Sequence, residues 1–142
     1  MIVDFYHLTA SPLERVLPSI AEKVLAGGER LLVVAEPDLL ARLDEQLWSY
    51  ARESFLPHGR ERPEAQPVFL SPEASAVNGA TNIAVADGRW REEALGFART
   101  FYFFDNDGRE GARDAWRALK GRPDVEARYW KQDERGKWVQ GP

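Results

Sequence analysis

The chain alternates between short, nearly continuous apolar runs and longer segments in which apolar residues are spaced along one face. The apolar runs predict β-strands, because a strand that is covered on both faces carries little polar surface. We assign strands to residues 2–8, 30–35, 67–71, 82–85, 100–104, 125–130 and 137–139. The run from Thr100 to Phe104 has the strongest β preference, so we expect it near the centre of the sheet.

Between the apolar runs lie four segments whose apolar residues recur at three- and four-residue spacing, which predicts helices. The helices are expected at residues 12–26, 38–53, 90–97 and 108–120. Ser11 is expected to cap the first helix, with Pro12 at its first position. Pro18 predicts a kink or a restart within that helix, because proline removes a backbone hydrogen bond.

This regular alternation predicts a mostly parallel sheet with right-handed crossovers and helices on both faces. The expected fold class is therefore α/β, a three-layer sandwich in a single domain over residues 1–142. It is Rossmann-like but lacks a nucleotide-binding loop. The turn from His7 to Pro12 contains no glycine, whereas a phosphate-cradling turn after the first strand needs several.

The last predicted helix has two faces of opposite character, because successive residues are about 100° apart around a helix axis. One face carries cations around a tryptophan: Arg109, Arg113, Trp116, Arg117 and Lys120. The other face is small and apolar, with Ala112, Ala115, Ala118 and Leu119. The cationic face suits an acidic, aromatic ligand, since a large exposed aromatic beside guanidinium groups is typical of recognition sites. The alternative is an ordinary solvated surface on which Glu110 and Asp114 pair with the cations.

Composition narrows the class of protein. The chain has no cysteine, which excludes disulfides, thiolate nucleophiles and cysteine-based metal sites and is typical of the reducing cytoplasm. No run of eighteen apolar residues occurs and the amino terminus does not resemble an export signal, so we expect a cytoplasmic protein without a membrane span. The net charge of −4 argues against a general DNA-coating surface, so any basic function must be local.

Catalytic motifs are weak throughout the sequence. The only two histidines, His7 and His58, lack metal-ligand spacing. The segment Asp105–Gly108 is similar to the middle of a calcium loop, but Phe103 would then be the first ligand, so a turn in which Asp105 or Asp107 caps the next helix explains it better. We therefore expect no catalytic site, no cofactor and no metal. The alternative is a small metal- or nucleotide-dependent enzyme that processes nucleic acid through Asp105 and Asp107.

Several segments together resemble the chi subunit of the bacterial DNA polymerase III holoenzyme. They are Val3–Leu8, Arg42–Trp48, Glu53–His58 and Ala112–Arg117. The most specific part is Leu-Asp-x-x-Leu-Trp followed by Ser-Phe-x-Pro-His. The resemblance implies a small α/β replication adaptor without catalytic activity. It would link the clamp loader to single-stranded-DNA-binding protein by holding that protein's acidic, phenylalanine-terminated carboxyl tail, and would contact DNA only indirectly.

The resemblance also implies which residues carry each contact. The tail-binding residues map onto Arg109, Arg113, Trp116 and Arg117. The interface with the psi subunit of the clamp loader maps onto Trp48, Phe55, Pro57 and His58. These four residues have a structural alternative, in which the aromatics close the sheet face and the histidine caps a turn, and a partner other than psi could use the same patch. Trp130 and Trp138 are candidates for contact with the tail's phenylalanine. A further possibility is that the cationic helix grips DNA phosphates directly.

Overall fold

The structure is a computed structural model that describes residues 1–49, 58–75 and 77–141. Within them one sheet contains β1 (Ile2–His7), β2 (Leu31–Val34), β3 (His58–Gly59), β4 (Val68–Ser71), β5 (Asn82–Val85), β6 (Arg99–Phe104), β7 (Glu126–Gln132) and β8 (Trp138–Gln140). The strand order is β3-β4-β2-β5-β6-β1-β7-β8. All neighbouring strands are parallel except β7 and β8, which form an antiparallel edge. The strongly apolar run in β6 lies between β5 and β1, as predicted.

Helices cover both faces of this sheet. They are α1 (Leu13–Ala26), α2 (Pro37–Ser49) and α3 (Arg109–Lys120), with short 3₁₀ turns at Pro63–Ala65, Glu92–Gly96 and Asn106–Gly108. The apolar sides of α1 and α2 pack on one face of the sheet. The apolar side of α3 and the turn at Glu92–Gly96 pack on the other face. The predicted α/β class with a mostly parallel sheet between helical layers is therefore confirmed.

Neighbouring residues of a strand point to opposite faces, and this alternation decides which side chains meet at each face. Phe5 in β1 packs on the α3 side, and Tyr6 packs on the α1 side. In β7, Tyr129 packs on the α3 side and Trp130 on the α1 side. Because β1 and β7 are parallel neighbours with Phe5 opposite Tyr129, each face presents a pair of aromatic rings.

The start of α1 differs from the prediction. The helix begins at Leu13, and its N-cap is Pro12 rather than Ser11. Ser11 is engaged elsewhere, since its backbone N–H donates to Oε1 of Gln132 at 3.0 Å and its hydroxyl accepts from Nε2 of the same residue. Pro18 lies inside α1, which is continuous over its whole length, so no restart occurs.

Other elements differ from the prediction in their bounds or their type. The segment predicted as a helix at residues 90–97 forms only the 3₁₀ turn Glu92–Gly96. The predicted end of the second helix near residue 53 lies outside the described residues. The two-residue strand β3 was not predicted, because it is too short to produce a periodic pattern. Within the described residues, no helix is sufficiently long and apolar to span a membrane.

Candidate functional site

The helix α3 lies close to the sheet because its inner face is small. Ala112, Ala115 and Leu119 are buried on the sheet side, as their spacing predicted, whereas Ala118, which was predicted on the same face, is exposed. Before the helix, Asp105 caps the 3₁₀ turn Asn106–Gly108 by accepting from the backbone N–H of Gly108 at 3.1 Å. The N-cap of α3 itself is Gly108, without a side-chain capping bond, so the prediction that Asp105 or Asp107 caps α3 was wrong. Close docking against β1 and β7 leaves the outer edge of α3 beside the aromatic rings of those strands.

The loop after β5 supports the beginning of α3 through a close backbone approach. Gly88 has a positive φ of 76°, a conformation that favours glycine. Its carbonyl accepts a hydrogen bond of 2.7 Å from the hydroxyl of Tyr102 in β6. Burial raises the pKa of Tyr102 to about 12, so this hydroxyl stays a hydrogen-bond donor at neutral pH. A Cβ on Gly108 would lie 3.7 Å from the Gly88 carbonyl oxygen, which shows how closely the two segments pass.

A hollow of about 360 Å³ lies between α3 and β7. Its lining combines aromatic rings below with cations at the rim: Phe5, Phe104, Arg109, Ala112, Arg113, Trp116, Tyr129 and Lys131. The Trp116 ring stands edge-to-face to Phe5 at 5.3 Å between centroids and to Tyr129 at 6.3 Å. These contacts are of the kind aromatic rings prefer, and they hold the indole as one wall of an apolar slot.

A partly buried hydrogen-bond chain fixes the opposite wall. The ring of His7 is stacked on Phe104 with centroids 4.8 Å apart. Its Nε2 lies 2.8 Å from Oδ1 of Asn106, and its Nδ1 lies 2.9 Å from the hydroxyl of Tyr129. A neutral histidine that donates through Nε2 to the amide oxygen accepts the Tyr129 proton at Nδ1, so every group in the chain is satisfied. Tyr129 is thereby held in one orientation at the side of the hollow.

The cations at the rim are not consumed by internal ion pairs. Arg109 and Arg113 are exposed, and no carboxylate of the described residues lies within 4 Å of their charged nitrogens. Burial raises the pKa of the Tyr129 hydroxyl, and the positive charges of Arg109 and Arg113 partly oppose that rise, so both guanidinium groups act on the hollow. An anion that enters the hollow would meet unneutralised positive charge at its rim.

The hollow brings together only part of the predicted tail-binding set. Arg109, Arg113 and Trp116 line it, but Arg117 does not and lies exposed on the same helix. The ring of Trp116 instead has the ammonium group of Lys120 at 6.0 Å from its centroid. Sequence reasoning missed four lining residues that come from strands or their ends: Phe5, Phe104, Tyr129 and Lys131. The two-residue spacing of Tyr129 and Lys131 in β7 is the signal that places both on one face.

Trp130 and Trp138, the predicted candidates for contact with a phenylalanine, do not line this hollow. Both pack against the core on the α1 face, which is the opposite side of the sheet. The reason is the alternation of β7, in which Trp130 must face away from Tyr129. The aromatic residue of β7 that lies beside the cations of α3 is therefore Tyr129, and neither tryptophan is brought together with them.

The second predicted patch is only partly described. Trp48 lies in the last turn of α2, but its side chain, Phe55 and Pro57 lie outside the described residues. His58 is in β3, where Nε2 lies 3.2 Å from Oδ1 of Asp44 and 3.2 Å from the backbone oxygen of the same residue. Its side chain is only 1% exposed, so within this structure the imidazole joins β3 to α2.

The carboxyl edge of the sheet, where an α/β protein commonly binds a nucleotide, is rich in acidic groups. A hollow of about 420 Å³ there is lined by Glu14, Glu36, Asp87 and Asp105, beside Arg42 and Arg89. Burial alone would raise the pKa of Asp87, but hydrogen bonds from Arg91 and two backbone N–H groups lower it. Asp107 is exposed, and within the described part of the chain no three His, Cys, Asp or Glu side chains are grouped closely enough to hold a metal ion.

Comparison with known proteins places the chain beside a known family. The family model described as "DNA polymerase III chi subunit, HolC" matches residues 1–123. A comparison with curated proteins finds no match. The matched residues run from β1 through α3 and stop before β7, so they include the α3 side of the hollow but not its β7 side.

Proposed function

Because this chain belongs to the family of DNA polymerase III chi subunits, we propose that it is a noncatalytic adaptor that binds the acidic, phenylalanine-terminated carboxyl tail of single-stranded-DNA-binding protein. The observation that carries the proposal is the hollow between α3 and β7, where unpaired guanidinium groups surround an aromatic slot. Neither feature alone would be specific. Together they match a ligand that ends in a ring and a carboxylate.

The size of the hollow supports a short peptide end. Sites for small ligands usually enclose about 300–1,000 Å³, so 360 Å³ is suited to one side chain with its terminal carboxylate rather than to a long segment. A phenylalanine ring can pack beside Trp116 and Tyr129, which already contact each other edge-to-face. The ring would therefore extend an existing aromatic cluster.

The charges at the rim account for an acidic sequence before the terminal residue. Arg113 can form forked hydrogen bonds with a carboxylate, and Arg109 and Lys131 are placed to attract further aspartates. All three are exposed, so salt will screen their attraction. A flexible tail also loses conformational freedom on binding, and we expect micromolar affinity, about −8 kcal/mol.

The sheet also separates the two proposed partners. We propose that the clamp-loader subunit, psi or its equivalent, contacts Trp48, Phe55, Pro57 and His58. Of these side chains the structure describes that of His58, which holds β3 against α2. Strand β3 is six positions from β7 in the sheet, which is about 29 Å at about 4.8 Å per strand. Two partners at that separation can bind at the same time, as an adaptor requires.

Calorimetric titration with a synthetic acidic peptide ending in phenylalanine tests the proposal. We expect the peptide to bind, and binding to be lost when its last residue is alanine or its carboxyl end is amidated. Arg113→Glu should abolish binding, whereas Arg135→Glu, which reverses an exposed charge in the turn between β7 and β8, should retain it. Equal binding of the amidated and free peptides would contradict the proposed role of the terminal carboxylate.

A further inference from the structure

A second cationic surface lies on the opposite face of the sheet, between α1 and the edge strands β7 and β8. It is a groove of about 500 Å³, lined by Tyr6, Arg15, Val16, Ser19, Ile20, Lys23, Arg99, Arg128, Trp130 and Trp138. The lining includes four cations and no carboxylate, although the whole chain carries a net charge of −4. Such a local excess of positive charge indicates an anionic ligand.

A buried carboxylate fixes two of these cations in place. Asp4 is fully buried beneath the groove and accepts hydrogen bonds from Arg99, Arg128 and the indole N–H of Trp130. Burial alone would raise the pKa of Asp4, but these hydrogen bonds lower it, so Asp4 stays charged. Both arginines bind Asp4 through Nε and Nη2, so the buried carboxylate fixes the orientation of both guanidinium groups. Asp4 offsets one of the four charges in the lining and Glu126 also acts on Arg128, which leaves Arg15 and Lys23 to keep the groove positive.

The other two cations follow one side of α1. Arg15, Ser19 and Lys23 recur at four-residue intervals, which places them about 6 Å apart along the helix. Arg15 and Lys23 are exposed, and no carboxylate in the described part of the chain lies within 4 Å of either charged group. They therefore form a row that can follow a chain of negative charges.

The aromatic rings of the groove lie side by side. Trp130 is nearly parallel to Tyr6, with 13° between the ring planes and 6.3 Å between centroids. Trp138 meets Tyr6 edge-to-face at 5.1 Å. Both indoles are half-buried, so each keeps part of its surface open beside the cations. A positively charged groove with adjacent aromatic rings is the arrangement that proteins use to bind single-stranded nucleic acid without sequence preference.

We propose that this groove binds a short stretch of single-stranded nucleic acid. Arg15 and Lys23 contact the phosphates, and the indoles of Trp130 and Trp138 stack against bases. An acidic peptide would satisfy the cations but would leave the open surfaces of the two indoles uncovered, so the observations favour nucleic acid. The inference goes beyond the tail-binding function and does not depend on it, because the groove and the hollow lie on opposite faces of the sheet.

Fluorescence anisotropy of labelled dT8 and rU8 with the full chain at low salt tests this inference. Each phosphate contact should contribute about −0.7 to the slope of log K against log[salt], so contacts from Arg15 and Lys23 predict a slope of about −1.4. The charge reversals Arg15→Glu and Lys23→Glu lie on exposed positions of α1 and should each weaken binding about tenfold. Similar affinity for dT8 and rU8 would identify a site that recognises the phosphates and bases of either nucleic acid. A preference for one of them would identify DNA or RNA as the ligand.

Two matched controls keep the test specific. Arg113→Glu reverses a charge in the hollow on the other face and should leave oligonucleotide binding unchanged. Trp138→Ala should weaken binding without changing the salt slope, and Trp138→Tyr should restore it, which a purely structural role of the ring would not predict. The proposal is overturned if Arg113→Glu abolishes binding while Lys23→Glu retains it. It is equally overturned if an octamer of glutamate displaces dT8 as well as unlabelled dT8 does.

Discussion

Two arginines of α3 that are equivalent in the sequence pattern are expected to differ in their effect on peptide binding. Arg113 lines the hollow, whereas Arg117 lies one turn further along the helix and does not. Four residues advance about 6 Å along a helix axis, so Arg117 is displaced from the aromatic slot. Alanine substitution at each position therefore separates a direct contact from a general effect of charge.

The expected magnitudes follow from the type of contact. Hydrogen bonds to charged groups contribute about 1.5–3 kcal/mol, and exposure of Arg113 reduces this to about 1–2 kcal/mol. Arg113→Ala should thus raise the Kd for the peptide about 5- to 30-fold. At about 10 Å, a unit charge in water contributes about 0.4 kcal/mol, so Arg117→Ala should raise the Kd no more than about twofold.

Calorimetric titration at about 0.05 M and 0.2 M salt distinguishes these effects, because screening acts on both arginines but removes the through-space contribution first. Arg135→Ala is the matched control, since it removes an exposed arginine outside the hollow. Equal losses at Arg113 and Arg117 would mean that the peptide lies along the outer surface of α3. That outcome would refute the hollow as the binding site.

Three other changes test separate parts of the structure. Asp4→Asn should lower the free energy of unfolding by about 2–3 kcal/mol, because it leaves Arg99 and Arg128 without their counter-charge. Because the pKa of Asp4 is lowered in the folded state, the Asp4 carboxylate stabilises the fold above about pH 4, and this stabilisation is lost as the pH falls through the folded-state pKa. Urea unfolding as a function of pH should show this loss in the wild type and not in Asp4→Asn. Tyr129→Phe should cost about 1 kcal/mol in thermal unfolding, because it removes the proton that His7 accepts, and no loss would contradict the hydrogen-bond chain. Asp107→Ala should leave peptide affinity unchanged, and magnesium should not shift the Tm of the wild type. A magnesium-dependent shift in Tm that Asp107→Ala abolishes would favour the alternative function, a metal-dependent enzyme that uses Asp105 and Asp107.

The sheet was predictable because its strands are short apolar runs with few competing patterns. The run Asn82–Val85 was assigned with the observed bounds, and β6 was placed correctly at the centre. The strands β7 and β8 were harder to predict, because all side chains of β7 are partly buried or exposed. Its register against β1 depends on a long-range pairing, and local sequence gives no information about that pairing.

The same limit explains what was missed in the site. Helical spacing predicts which residues of α3 share a face, and it separated the buried Ala112, Ala115 and Leu119 from the cations, although it also placed the exposed Ala118 with them. It does not show where the neighbouring strand lies along the helix, so Arg113 and Arg117 were treated alike. Only the pairing of β1 with β7 brings Tyr129 beside Phe5 and turns one edge of the cationic face into a hollow.

The two sides of the hollow therefore have different roles in recognition. Helix α3 supplies the guanidinium groups and Trp116, and it lies within the residues that match the chi family. Strand β7 supplies Tyr129 and Lys131 and lies beyond the matched residues. Guanidinium groups bind carboxylates through charge and forked hydrogen bonds, whereas a ring needs a slot of the right width. We therefore expect the last residue of the proposed peptide to be selected mainly by the width that β7 and the His7 hydrogen-bond chain impose, and the acidic sequence before it by α3.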